Sequence, residues 1–151
     1  MIQRKQSVFI FLAVVLCVVC LCMPIGNYGA GALNAAVEYN LFLENQTTGQ
    51  RFFSTWPLFA IMVASAALGI YSIFMYHNRI AQARVCSLNM LLLVGWYVVY
   101  AVFTNLLGGG NMSFTPTLPG VLPAFAIVFY FMARKAILAD EKLVRDADRI
   151  R

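Results

Sequence analysis

The chain has 151 residues, of which 62% are hydrophobic and only 11% are charged, and its formal net charge is +5. This length allows one compact domain, 1–151, and the composition leaves no polar segment long enough for a separate soluble domain. The basic residues flank apolar stretches and form no basic face elsewhere. The charge therefore argues for membrane lipids as partners and against nucleic acid.

Four long apolar stretches predict four transmembrane helices. They cover about residues 8–25, 57–76, 85–107 and 118–138, each close to the ~20 residues that cross ~30 Å of hydrocarbon. Ten of the eleven Lys and Arg residues fall on one side of these stretches, and for short loops that side is cytoplasmic. We therefore predict an all-α, multi-pass protein of the cytoplasmic (inner) membrane. It would be an up-down four-helix bundle with both termini cytoplasmic, an outer loop at 26–56 and a cytoplasmic tail at 139–151.

The first stretch has features of a signal peptide, because Arg4 and Lys5 precede it and small residues occupy 29–32. Its apolar run is longer than the roughly 7–15 residues typical of such a segment. Cleavage would also leave three spans with the termini on opposite faces. We therefore predict that the stretch is retained as a helix.

The outer loop contains a pattern typical of a β-hairpin. Apolar Val37, Tyr39, Leu41 and Leu43 alternate with mostly polar residues, turn-forming residues occupy 45–49, and a second short strand fits 50–54. Two strands alone are marginal in water. The predicted hairpin must therefore pack on the outer ends of the helices or on a partner.

Small residues four apart in the second span predict close helix packing. Ala60 and Ala64 form one such pair, and Ser65 and Gly69 form another. Such pairs let two helix backbones approach each other, and we expect them to pack within the bundle more than between copies.

The spans lack the ionisable groups on which ion pathways depend. Asp, Glu, Lys, Arg and His are all missing near the middle of each span, which argues against a pump or channel. Asn89 and Asn105, toward opposite ends of the third span, are expected to hydrogen-bond to a neighbouring helix or to headgroup water, in preference to contacting a substrate. We predict no catalytic residue, no metal site and no cofactor.

Cys17 and Cys20 form the one motif that suggests a reaction. Their i,i+3 spacing places both thiols on one helix face, as in a membrane-embedded redox pair that exchanges electrons with quinone. Reactive thiols need a nearby cation or a helix N-terminus, and neither is close in sequence. Buried structural cysteines are the favoured interpretation.

Residues 133–151 are predicted to continue the fourth helix into the cytoplasm. Glu141 and Arg145, and Lys142 and Asp146, are spaced i,i+4 as helical ion pairs. This tail is expected to lie on the membrane surface or dock on another protein.

Three stretches resemble a family of small integral membrane proteins of Bacteroidota catalogued as domain of unknown function 4293. They are MIQRKQS at 1–7, FMYHNR at 74–79 with Gln82, and DEKLVR at 140–145 with DRIR at 148–151. The resemblance covers nearly the whole chain. It implies four helices in the cytoplasmic membrane and brings no activity or ligand with it.

Together these patterns favour a non-enzymatic membrane scaffold or accessory subunit of a larger complex, whose partner is another integral membrane protein or a second copy. We place its interaction site in a cytoplasmic collar of charged and amide residues. The collar comprises Gln3, Arg4, Asn78, Arg79, Gln82, Asp140, Glu141, Arg145 and Arg149. The alternatives are the quinone-linked thiol protein using Cys17 and Cys20, and a binder or transporter of lipid or another small molecule.

Overall fold

The computed structural model describes residues 3–30, 33–75, 78–107 and 113–149, without the side chains at 3–5, 30, 33–35, 107 and 147–149. Within these residues the helices are α1 (Gln3–Cys22), α2 (Trp56–Phe74), α3 (Arg79–Leu107) and α4 (Leu122–Arg149). The strands are β1 (Gly26–Ala30), β2 (Leu33–Glu38), β3 (Leu43–Asn45), β4 (Arg51–Phe52) and β5 (Ser113–Pro116). A 3₁₀ turn, Leu118–Val121, leads into α4.

The helices pack through seams of buried residues spaced three and four apart. In α1 the seam is Ile10, Ala13, Cys17 and Cys20, all fully buried. Such spacing keeps one stripe of an α-helix facing its neighbours. Each helix packs against the next along the chain, and α1 closes the arrangement by packing against α4.

The outer surface of these helices is largely apolar. Large side chains such as Phe74, Leu91 and Val98 are 74%, 69% and 60% exposed, and continuous apolar surface is rare on soluble monomers. Within the described residues, three helices are long and apolar enough to cross a membrane: Trp56–Phe74, Arg79–Leu106 and Leu118–Asp146. The apolar part of α1, Gln6–Cys22, is shorter, and the helix ends just before Pro24, which cannot continue it.

The two pairs of small residues in α2 lie on different faces. Ser65 and Gly69 are buried, and a Cβ atom on Gly69 would overlap the hydroxyl of Tyr130 in α4. Gly69 therefore permits close packing with neighbouring helices. Ala60 and Ala64 are exposed, so this pair makes no such contact within the described structure.

The prediction of a two-stranded hairpin was incomplete, because the strands form one five-stranded antiparallel sheet with the order β4-β3-β2-β1-β5. The predicted strand over 37–44 is itself bent: β2 ends at Glu38, and the backbone N–H of Tyr39 donates to the Phe42 carbonyl before β3 begins. Strands β3 and β4 do pair across the predicted turn, Leu43 opposite Phe52.

The sheet joins the α1–α2 connection to the α3–α4 connection at one end of the helices. β1 follows α1 after three residues, and β5, about 90 residues later in the chain, pairs with it from Gly26 to Gly29. The Ile25 carbonyl accepts the backbone N–H of Thr117. A Cβ atom on Gly26 would overlap the Phe114 ring, so the close approach of these strands requires glycine there.

Candidate functional site

One ion pair joins the α2–α3 turn to α4 at the end of the helices opposite the sheet. Arg79 Nη1 lies 2.6 Å from Asp140 Oδ2, and the two side chains are 24% and 11% exposed. Arg79 is the first residue of α3, which packs along α4. Removing one partner of such a pair costs between the ~1 kcal/mol of a surface pair and the ~3–5 kcal/mol of a buried one.

The amide residues of the collar bond within the α2–α3 turn. Gln82, which is buried, donates through Nε2 to the carbonyl of Ser72 at 3.0 Å. Asn78 accepts the backbone N–H of Ala81 through Oδ1 at 3.4 Å, as a residue preceding a helix often does. These two residues therefore fix the geometry that presents Arg79, and their side chains do not reach the tail.

Of the remaining collar residues, two lie on the part of α4 that follows Asp140, and the side chains of the other three are not described. Glu141 and Arg145 lie 3.8 Å apart on consecutive turns of α4; Arg145 is exposed and Glu141 is partly buried. The side chains of Gln3, Arg4 and Arg149 lie outside the described residues. A contact that the sequence did not indicate comes from Gln6 of α1, whose Nε2 donates to the Ala136 carbonyl of α4 at 3.2 Å.

The side chains of Cys17 and Cys20 are free thiols and are fully buried. Cys17 lies against the hydroxyl of Ser65, and Cys20 Sγ lies 3.8 Å from Asn40 Nδ2. Both side chains therefore face the interior of the protein, and their i,i+3 spacing places them on the same face of α1. No group of three or more His, Cys, Asp or Glu residues suited to a metal ion occurs among the described residues.

A buried hydrogen-bond relay links the sheet to the helix ends through Asn40. Its Nδ2 donates to the carbonyl of Cys20 at 2.8 Å, and its Oδ1 accepts the indole N–H of Trp96 at 3.0 Å. All three residues are fully buried. The carbonyls in the last turn of a helix have no intrahelical partner, so the loop amide caps α1 while it holds α3.

Glu38, the last residue of β2, is a second buried polar residue of this region. It is fully buried, its Oε2 accepts the hydroxyl of Tyr28 at 3.2 Å, and its Oε1 has no partner among the described residues. Burial raises the pKa of Glu38 from 4.5 to about 7, although the Tyr28 hydrogen bond opposes the shift. Burial and the neighbouring Glu38 also raise the pKa of Tyr28. The carboxyl group can therefore change charge near neutral pH.

Two tyrosines of α3 complete the attachment of the segments that carry the sheet. Tyr100 donates to the Ile25 carbonyl at 2.8 Å, and Tyr97 donates to the Gly120 carbonyl at 3.0 Å. The Tyr100 ring stacks on Trp96 with centroids 5.0 Å apart. The sequence analysis assigned no role to Glu38, Asn40 or these aromatic residues. The only signal for Glu38 and Asn40 was the polar residue at every second position of the predicted strand.

An open groove of about 390 Å³ runs between α1 and α4 toward the Arg79–Asp140 end. Its walls are mostly apolar, with Phe9 on one side and Phe131 and Met132 on the other, and Lys135 is at its edge. Such a groove can accept an apolar chain with a polar head.

Comparison with known proteins identifies a family but no activity. No curated protein matches the chain. The family model described as a domain of unknown function, DUF4293, matches residues 2–150. Because that match covers nearly the entire sequence, the chain belongs to the DUF4293 family.

Proposed function

We propose that this protein is a non-enzymatic scaffold or accessory subunit of a larger membrane complex. Its four helices cross the cytoplasmic membrane as an up-down bundle, and both termini are cytoplasmic. The apolar outer faces of α2, α3 and α4 support membrane placement. The distribution of Lys and Arg supports the orientation.

We include α1 as the fourth span because it is packed as part of the core. Its fully buried Ile10 and Ala13 share a core with α2 and α4, while Val8 and Phe11 on its other side are 52% and 58% exposed. Twenty residues of helix extend about 30 Å, close to the hydrocarbon thickness. Cleavage of this helix would uncover the core.

The observation that carries the proposal is the length and surface of α4. Its 28 residues extend about 42 Å, so a helix that begins near the outer headgroups projects about 12 Å beyond ~30 Å of hydrocarbon. Leu143 and Val144 lie in this projecting part and are 61% and 44% exposed. An apolar pair on a charged helix beyond the membrane suits a protein partner.

The ion pair Arg79–Asp140 lies at the base of this projection. It ties the tail to the α2–α3 turn three residues before Leu143, so the partner would meet a helix held in a fixed direction. Collar residues Glu141 and Arg145 lie on the same exposed segment and would contribute polar contacts at the rim of the interface.

The test is isolation of the tagged full-length protein at native level in mild detergent, with mass spectrometry of the proteins that co-purify. We expect one protein in stoichiometric amount with the wild type, its loss with Leu143→Asp, and its retention with the matched Leu143→Met. Arg79→Ala should also release it, because the base of the tail is loosened, whereas Arg79→Lys should retain more of it.

Circular dichroism and thermal unfolding of each variant separate loss of the partner from loss of the fold. A wild-type protein that carries no stoichiometric companion would contradict the subunit proposal. So would a complex of unchanged composition in both Leu143→Asp and Arg79→Ala.

The groove between α1 and α4 favours a second candidate, a binder of lipid or another small apolar molecule. The Phe9 and Phe131 walls suit an acyl or isoprenoid chain, and Lys135 at the edge suits a polar head. Detection of one bound lipid or quinone, and of no companion protein, in the same isolation would favour this candidate.

A further inference from the structure

A second groove, of about 200 Å³, lies between α3 and α4 at the same end as the Arg79–Asp140 pair. It is lined by Ile80, Ala83, Arg84, Ser87, Arg134 and Leu138. It differs from the α1–α4 groove because two guanidinium groups, one from each helix, share one small space. Two cations facing one groove invite an anion.

These two arginines lack an intramolecular anion among the described side chains. The ion pairs found there use Arg51, Arg79 and Arg145, and neither Arg84 nor Arg134 lies within 4.0 Å of a carboxylate oxygen. Ser87 also lines the groove, but its hydroxyl already donates to the Ala83 carbonyl at 3.0 Å. The recognition chemistry therefore belongs to the guanidinium groups.

Both arginines lie deeper along the helices than the ion pair, at a depth from which a long side chain can extend toward lipid phosphate in the headgroup layer. Arg84 lies five residues into α3 from Arg79, and Arg134 lies six residues before Asp140, so both backbones are about 8–9 Å deeper than the ion pair. Ile80 and Leu138 at the groove are about 40% exposed, and Leu88, further along α3, is 47% exposed. These apolar surfaces can contact the glycerol and upper acyl chain.

From this juxtaposition we propose that the α3–α4 groove is a binding site for one anionic phospholipid of the cytoplasmic leaflet, whose phosphate lies between Arg84 and Arg134. Arginine binds phosphate oxygens through paired N–H donors. A headgroup without an ammonium group, such as phosphatidylglycerol, is preferred because two guanidinium groups repel choline or ethanolamine. The inference rests on the membrane placement in the proposed function and is independent of a protein partner.

The experiment uses the full-length protein reconstituted in vesicles of equal parts phosphatidylcholine and phosphatidylglycerol. The protein is extracted in mild detergent, and native mass spectrometry counts the retained molecules of each lipid. We expect retention of phosphatidylglycerol over phosphatidylcholine. Arg84→Gln and Arg134→Gln should each reduce retained phosphatidylglycerol about five-fold, as expected for one basic contact near a charged headgroup.

The matched control is Lys142→Gln, which removes one positive charge from the exposed side of α4 at a residue that lines neither groove. Its retention should stay within about two-fold of the wild type, since it alters only the general surface potential. Arg84→Lys should bind less than the wild type but more than Arg84→Gln, because it retains the charge and loses the planar pair of donors.

Equal loss in Lys142→Gln and Arg134→Gln would overturn the proposal, because it would show diffuse attraction instead of a site. Equal retention of the two lipids by the wild type would also overturn it. Displacement of the lipid by millimolar inorganic phosphate would identify a free anion as the ligand and refute the lipid. Failure of the protein to enter vesicles would refute the membrane placement, whereas loss of the protein companion with retained lipid would refute only the subunit function.

Discussion

Neutralising the buried carboxyl group of Glu38 should remove a pH dependence of stability. Its pKa is about 7 in the folded protein against an ordinary 4.5, so the folded state holds the proton more tightly than the unfolded state. Its contribution is therefore most favourable below pH 4.5 and is lost as the pH rises through about 7. A shift of the pKa from 4.5 to about 7 corresponds to about 3 kcal/mol, most of which is lost between pH 5 and pH 8.5.

The assay is denaturant unfolding of the full-length protein in mild detergent, followed by tryptophan fluorescence at pH 5 and pH 8.5. The titratable groups facing Glu38 are the phenols of Tyr28 and Tyr100, which do not ionise in this range. Glu38→Gln should lose most of the pH dependence. The control Glu44→Gln, which removes an exposed carboxylate paired with Arg51, should keep it. A wild type that is more stable at pH 8.5, or an unchanged pH dependence in Glu38→Gln, would refute the reasoning.

Three further predictions concern packing, the relay and the thiols. Gly69→Ala should destabilise the protein by about 1–3 kcal/mol because the new methyl group overlaps the phenol of Tyr130. Gly95→Ala should not, because the space around its Cβ is open, and thermal unfolding compares the two variants. Asn40→Ala should cost about 2–4 kcal/mol because it leaves a buried carbonyl and an indole N–H unpaired, while Asn105→Ala, whose amide is exposed, should cost little in the same assay. Maleimide should label the exposed Cys22 rapidly in the native protein and the other three cysteines only after denaturation; native labelling of the pair in α1 only after reduction would instead support the redox alternative.

The helices could be predicted because their signal is local. An apolar run of about 20 residues and a proline or glycine at its end define a helix without knowledge of its neighbours. The predicted stretch 57–76 accordingly corresponds to α2, Trp56–Phe74, within two residues. The continuation of the fourth helix into the tail was also predicted, and α4 extends to Arg149 without a break.

The sheet could not be predicted in full because β1 lacks a strand-forming sequence and pairs with β5, about 90 residues away. β1 has the sequence GNYGA, whose glycines and asparagine disfavour strands. Its partners on either side come from residues 33–38 and from 113–116. Backbone pairing across such a separation leaves no periodic pattern in either segment.

The orientation of the predicted strand also could not be read from its alternation. Polar residues in an alternating strand are expected to face water, but Glu38 and Asn40 are the fully buried ones, and Val37 and Tyr39 are partly exposed. The reason is the surface on which the loop packs. The end of α1 presents unpaired carbonyls and Trp96 presents an N–H, so polar side chains form the complementary face.

The spacing of the buried residues in α4 explains which acidic residue of the tail pairs with Arg79. The buried seam of α4 continues from Tyr130 through Ala133 and Ile137, and the next position in that spacing is Asp140. Glu141 is rotated by about 100° around the helix axis from Asp140. Of these two residues, therefore, only Asp140 faces Arg79 across the interface between α3 and α4. The acidic residue on the seam therefore closes the end of the molecule opposite the sheet. Leu143 and Arg145 lie off the seam and are exposed on the tail, where a partner protein can reach them, and Arg134 lines the α3–α4 groove, where a lipid can reach it.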